Sequence, residues 1–482
     1  MKKGIVATWA WRVIAVSASL IALVLALRIL LSERQPDLKP WHTWAPREPE
    51  AAEIARLDWP AWLAAEDKAF ADMRAHLREK LDAEDRVPAN RYFEGSPLYS
   101  ARFTRDWNRS YELLPAGVPV GAVVLLHGLS DSPYSLRHVA QAYVNHGYAA
   151  VGLRLPGHGT VPAGLTRASW QDWQAAVRLA VREARRLAGP GKPLHIVGYS
   201  NGGALAMQYT LDAAADSRLD MPARVVLLSP MIGLTRFARY AGVAGWPALM
   251  PRFSKAAWLD IIPEFNPFKY NSFPVNAARQ SYELTQVIDE QIATAAEKGW
   301  IAKLPPVLAF QSVVDSTIAG EALVSTLFAR LPENGSELVL FDVNRATPFD
   351  ILMSGPAMTR LEQMLPAGPQ RYRVTVIGNS AGEPRATERS QAAGAASAVT
   401  RPLDVEYPRS FFSLSHVAIP FPPDDSLYGT DPDQENFGVH LGIQSPRGER
   451  GTLIRGADTL VRASCNPFYS YMSARIEETL PH

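Results

Sequence analysis

The 482-residue chain has almost no cysteine. Cys465 stands alone, so neither an intrachain disulfide nor a cysteine-rich metal site can form. Charge of one sign is missing as well. Lysine and arginine number 49 against 48 aspartates and glutamates, and the formal charge is +1. That balance excludes a general nucleic-acid binder and a disordered polyelectrolyte. No internal repeat runs along the chain. What remains is a globular composition, 47% hydrophobic and 20% charged, with enough apolar residues for a sizeable core. The 38 prolines imply many loops. The length fits two or three units, or one large α/β domain with insertions.

The exception to this even composition is the amino terminus. From Val13 to Leu27 the chain carries no charge, and Ile29, Leu30 and Leu31 extend the run past Arg28. With Trp9 and Trp11 at its entry the stretch reaches about 20 residues, enough to cross a bilayer. Arg12 and Arg28 can snorkel to the two interfaces. Lys2 and Lys3 place the short leading end in the cytoplasm and the rest outside, in a bacterial periplasmic or extracytoplasmic setting. A cleaved signal peptide ending near Val24-Leu25-Ala26 is the rival reading. The apolar run continues past that site, which favours an anchor over residues 1–31.

Residues 32–91 read as a linker followed by an amphipathic helix. Pro36, Pro40, Trp41, Trp44, Pro46 and Pro49 mark the linker. From Pro60 to Leu81, Leu63, Phe70, Met73, Leu77 and Leu81 share one face, Glu66 and Asp67 lie on others, and Asp58 is placed to cap the helix. From residue 92 onward strands and helices alternate. Gly121–Leu126, Ala149–Leu153, Leu194–Val197, Arg224–Leu228, Val307–Gln311 and Glu337–Phe341 read as buried strands. Helical spacing falls between them, over Ser135–His146, Trp170–Leu187 and Ala204–Ala214. This alternation predicts an α/β fold with a mostly parallel sheet and helices on both faces. Residues 231–303 are too long for a loop and read as an insertion. Residues 379–403 have no periodicity and read as an irregular surface excursion.

Gly198-Tyr199-Ser200-Asn201-Gly202 matches G-x-S-x-G, the sharp strand-to-helix turn that exposes a nucleophilic serine. The motif alone is weak, and Gly378-Asn379-Ser380-Ala381-Gly382 matches it too. Context separates them. A good helix former comes after Ser200, whereas Pro384 would break a helix opening at Ser380. At such an elbow the backbone N–H groups of Leu129 and Asn201 would hold an oxyanion, each worth about 3 kcal/mol in the transition state. His127 is then a loop histidine and not the base. The acid and base come after the nucleophile in chain order. Asp315 lies just past the strand VLAFQ, with Asp342 its main competitor and Asp350 a weaker one. Downstream of both, the histidines are His416, His440 and His482. His416, before a proline-rich loop, is preferred; it would take the proton of Ser200 while Asp315 fixed its tautomer.

Together, LLHGLSDSPYSL, RLPGHGT, VGYSNGG and the segments around Asp315 and His416 resemble the α/β-hydrolase superfamily. The nearest subgroup is the monoacylglycerol-lipase and lysophospholipase-like hydrolases, grouped with serine aminopeptidase-type enzymes. The resemblance implies a hydrolase domain over 92–482, a cap at 231–303, and a structural or pocket-wall role for His158. The chain departs from the pattern at Asn201, where the family often has methionine or glutamine, and in the long stretch before His416. The cap is rich in aromatics (Trp246, Phe253, Trp258, Phe265, Phe268, Tyr270 and Phe273), which suits a hydrophobic ester or lipid as substrate. The expectation is a membrane-tethered serine ester hydrolase working through an acyl-enzyme. It needs no cofactor and no metal and binds no nucleic acid; its protein partners are not legible. Two alternatives stay open. One is an aminopeptidase or amidase with a cap carboxylate, Glu264 or Glu283, reading an amine. The other is a non-catalytic binding protein on a hydrolase scaffold.

Overall fold

Gly121–Leu126, Tyr148–Leu153 and Leu194–Tyr199 are buried along their whole length, as strands in a sheet covered on both faces must be. The computed structural model describes residues 2–233, 245–315, 320–347, 355–432, 435–442 and 463–480. Its main sheet contains β1 (Tyr111–Leu113), β2 (Gly121–Leu126), β3 (Tyr148–Leu153), β4 (Leu194–Tyr199) and β5 (Arg224–Leu228). It continues with β6 (Val307–Ser312), β7 (Glu337–Phe341), β8 (Arg373–Gly378), β9 (Arg385–Gln391) and β10 (Val399–Glu406). The ten strands lie in the order β1-β3-β2-β4-β5-β6-β7-β8-β9-β10. Pairing is parallel from β3 through β8 and antiparallel at both margins.

The helices are α1 (Lys2–Glu33), α2 (Trp59–Lys80), α3 (Arg137–Asn145), α4 (Trp170–Ala188), α5 (Asn201–Ala215), α6 (Val275–Glu297) and α7 (Tyr469–Glu477), beside shorter turns of helix. Alternate residues of each strand face opposite layers. Ala122, Val124 and Leu126 pack under α4 and α5, which contribute Trp173 and Leu205, and α6 joins the same core through Leu284. Val123 and Leu125 face α3 and α7, through Val139, Tyr143, Met472 and Ile476.

Two expectations change. Residues 379–403 are not irregular: they contribute β9 and β10, a hairpin that prolongs the sheet. β10 is largely exposed and carries Pro402, as suits an edge strand with water on one side, so no apolar alternation announces it. The insertion at 231–303 is only partly a cap. Its second half is α6, whose Ala277, Leu284, Ile288 and Ile292 join the core beside α5. Adjacent parallel strands β5 and β6 require such a crossover helix.

Helix α2 is capped as expected, with Asp58 Oδ1 accepting from Ala61 N–H at 2.9 Å. Trp62, Phe70, Met73 and Leu77 are buried against the domain. Glu66 is buried too, contrary to the polar face assigned to it. It accepts from Arg154 Nε at 2.9 Å and from Ser110 N–H at 3.0 Å. Arg154 also holds Glu48 of the linker at 2.9 Å.

Candidate active site

In the strand order β3-β2-β4, the chain leaves β2 on one side and returns on the other, so the carboxyl ends of β2 and β4 flank a topological switch point. Ser200 sits there, between β4 and α5, at φ 55° and ψ −117°. This left-handed backbone is uncommon for a non-glycine residue and must be held by its surroundings. Ser200 N–H donates to Leu228 C=O at 3.0 Å, and Ser200 C=O accepts from Met231 N–H at 2.9 Å. The glycines of the motif have a steric cause. A Cβ on Gly198 would stand 2.3 Å from Gly202 O, and one on Gly202 would stand 1.9 Å from Leu126 O.

The long separation in sequence between Ser200 and His416 closes in space. Ser200 Oγ lies 2.9 Å from His416 Nε2, and His416 Nδ1 lies 2.8 Å from Asp315 Oδ2. All three residues are buried. The other side of Asp315 is held by Gln311 of β6, whose Nε2 donates to the same Oδ2 at 2.9 Å. Gln311 was not singled out in the sequence, where a polar residue in an apolar strand was its only signal. The Tyr199 ring lies tilted against His416, with ring centroids 5.6 Å apart.

The competing residues lie elsewhere. Asp342 pairs with Arg345 at 3.0 Å. His440 Nδ1 faces Ser426 C=O at 2.9 Å. Ser380 is exposed and leads into the β9 hairpin, not into a helix. Asp350 and His482 lie outside the described residues. His127 is structural: Leu155 N–H donates to its Nε2 at 3.1 Å, so its Nδ1 carries the proton toward Gly128 C=O at 2.8 Å. Burial, with His158 beside it, pushes its pKa well below the ordinary value.

Gly128 places the β2 loop against the elbow, since a Cβ on it would come within 3.3 Å of Ser200 Cβ. Leu129 is the next residue, and Asn201 opens α5, where first-turn N–H groups have no partner within the helix. Among the described residues, neither N–H donates to another protein atom. The side chain of Asn201 is buried and accepts from Ser281 Oγ of α6 at 3.2 Å.

Tyr199 and Val417, the chain neighbours of Ser200 and His416, form part of the wall of a cavity of about 450 Å³. Tyr199, Ile262, Phe265, Val417 and Phe421 give it an apolar lining. Asp131 and Lys269 supply opposite charges in its wall. Burial pushes the Asp131 carboxyl up to about 6, against the opposing pull of Lys269, the Ser132 N–H, Ser135 and His416. Of the cap aromatics, Phe265 and Tyr270 line this cavity. Phe268 instead stacks on Tyr134 at 4.1 Å and belongs to a small core of its own. The long tail past His416 also reaches the cavity, through Phe421, Tyr428 and Leu441. It is tied down by the buried Asp425, which accepts from Arg137 Nη1 at 2.6 Å and Tyr134 OH at 3.0 Å.

Sheet order and the turn between β4 and α5 are those of the α/β-hydrolase fold. Residues 117–299 match the family described as serine aminopeptidase, S33. Over 163 residues the chain is 29% identical to a thermostable monoacylglycerol lipase from Bacillus sp. (strain H-257), a match covering 34% of this chain. The chain spans 60% of the length of that relative. Among solved structures, a metagenome-derived lipolytic enzyme aligns at TM-score 0.38 and 20% identity, over 49% of this chain and 88% of the other. A soluble variant of monoglyceride lipase from Saccharomyces cerevisiae aligns at TM-score 0.37 and 16% identity, over 48% and 81%.

Proposed function

We propose that the protein is a serine hydrolase that cleaves carboxylic esters of hydrophobic acyl groups through an acyl-enzyme. The observation that carries this reading is the hydrogen-bonded chain from Ser200 through His416 to Asp315. His416 Nε2 takes the hydroxyl proton as Ser200 Oγ attacks the ester carbonyl. The Leu129 and Asn201 N–H groups hold the oxyanion, and Asp315 stabilises the imidazolium. The alcohol departs with the proton from His416. Water, activated by the same imidazole, then releases the acid. The apolar lining of the cavity supports a hydrophobic acyl group.

The amidase reading loses its two cap carboxylates as amine readers. Glu264 is committed to the N–H groups of Asn271 and Ser272 at 3.0 and 2.8 Å, and Glu283 pairs with Arg279 at 3.4 Å. The anchor reading stands on α1, in which Ala15–Glu33 is long and apolar enough to cross a bilayer. Lys2 and Lys3 then put the hydrolase domain on the extracytoplasmic side of a bacterial inner membrane.

The test is fluorophosphonate labelling of the detergent-solubilised full chain, alongside turnover of p-nitrophenyl esters of graded chain length. Labelling that disappears in Ser200→Ala, with kcat reduced at least about a thousandfold, is expected. An unlabelled parent would overturn the hydrolase reading.

A further inference from the structure

Ile262 of the cap lines two cavities at once. The first is the cavity beside Ser200. The second, about 270 Å³, lies between the cap and the segment just past α1, and Pro36, Trp41, Val87, Ala89, Ile261 and Pro263 form its remaining apolar wall. Most polar groups around this second cleft are engaged with one another. Lys39 pairs with Glu84 and with Asp85 at 3.0 Å, Asp37 with Lys255 at 2.8 Å, and His42 with Ser272 Oγ at 2.9 Å. The Asn90 amide donates to Asp85 C=O at 2.8 Å, and the Glu264 carboxylate accepts the Asn271 and Ser272 N–H groups. Trp41 Nε1 and Asp85 Oδ2 have no partner among the described residues, and the rest of the wall is mainly hydrocarbon, which suits a largely apolar guest.

The cleft also has a fixed position relative to α1. Arg28 near the end of that helix donates to the Ala256 and Trp258 carbonyls of the cap, to the first at 3.3 Å. Gln35 reaches Leu259 C=O at 3.3 Å, and Lys255 returns a bond to Gln35 C=O at 3.0 Å. The end of the apolar helix, the cleft and the cap are therefore tied to one another, and Ile262 is the side chain common to the cleft and the cavity beside Ser200.

We propose that this cleft binds an acyl chain of a membrane lipid and delivers it past Ile262 to the cavity beside Ser200. The inference rests on reading α1 as an anchor and Ser200 as an ester-cleaving nucleophile. The experiment uses the full chain in phosphatidylcholine vesicles doped with phosphatidylcholine carrying a terminal diazirine on one acyl chain. After photolysis, crosslinks are expected in the peptides containing Val87, Ala89 and Ile261. Ala89→Trp and Val87→Trp fill the cleft without touching the cavity beside Ser200. Each should cut those crosslinks and slow hydrolysis of a long-chain ester presented in the same vesicles about tenfold, with turnover of water-soluble p-nitrophenyl butyrate held within about twofold. Val87 is 43% exposed, so its variant carries the test if Ala89→Trp does not fold. Crosslinks confined to α1, or unchanged long-chain turnover in the filled variants, would overturn the proposal. If the parent hydrolyses neither ester while crosslinks still map to the cleft, the hydrolase reading fails and the lipid site stands.

Discussion

Gln311 and His416 meet on a single oxygen of Asp315, at 2.9 and 2.8 Å. The carboxylate is therefore held by a neutral amide from β6 on one side and by the imidazole on the other. Replacing the amide by an apolar side chain of similar length, Gln311→Met, removes a hydrogen bond to a charged group, worth about 1.5–3 kcal/mol. Asp315 then loses its fixed rotamer and His416 its orientation. The expected outcome is a fall in kcat of about tenfold or more with KM little changed, because substrate does not touch this residue. A rise in KM at constant kcat would assign Gln311 to binding instead.

Gly202 answers a different question, namely whether the elbow is demanded by packing. Its absent Cβ would fall 1.9 Å from Leu126 O and 2.5 Å from Leu126 C, both backbone atoms of a central strand. Neither can move without disturbing the pairing of β2 with β4. Gly202→Ala should therefore destabilise the fold by on the order of 3 kcal/mol, or abolish it. Gly117→Ala, where nothing lies within 4 Å, should leave urea unfolding nearly unchanged. Equal midpoints for the two variants would contradict the steric account.

These contacts show what the residues alone could tell. The central strands were legible because burial on both faces makes them continuous apolar runs. Ser200 was legible because so few residues tolerate its turn. Asp315 is read from chain order and its place just past a strand, and His416 from chain order and the proline-rich loop that follows it. β9 and β10 were not legible, since RATERSQ and VTRPLDVE lie at a sheet margin where few side chains need be apolar. Helix α6 reads as part of the insertion because a crossover and an insertion look alike in sequence until the strands they join are paired. Gln311 and the burial of Glu66 depend on partners distant in sequence, which no local pattern encodes.

Glu66 shows how firmly α2 belongs to the domain. Its carboxylate and that of Glu48 converge on the buried Arg154 guanidinium, each at 2.9 Å. Without Glu66, Arg154 keeps Glu48 and the His158 carbonyl, but its Nε and the Ser110 N–H lose their acceptor, at a cost of about 1–3 kcal/mol. Glu66→Ala should lower stability by that order, and limited proteolysis should then cut near α2 before it cuts the sheet. Replacement of Glu53, whose bond to Arg47 is exposed, should change stability by less than about 1 kcal/mol. Comparable losses in the two variants would mean that Arg154 is not the anchoring point.

Asp131 predicts how stability changes with pH. Its ordinary value of 3.8 is pushed up to about 6 by burial in the wall of the cavity. Between those two values the folded protein keeps a proton that the unfolded chain has released. Stability must therefore fall as pH rises from about 4 to about 6, and level off above. Asp131→Asn removes this dependence while keeping the shape of the side chain. The variant should match the parent near pH 4 and exceed it at pH 8 by up to about 3 kcal/mol. Urea unfolding of both proteins at pH 4, 6 and 8 measures the difference directly, since other titrating groups cancel between them. Two parallel curves, with no widening gap across that window, would show that Asp131 ionises as freely in the folded protein as in the open chain. The cavity beside Ser200 would then be wetter, and less suited to an acyl chain, than its lining implies.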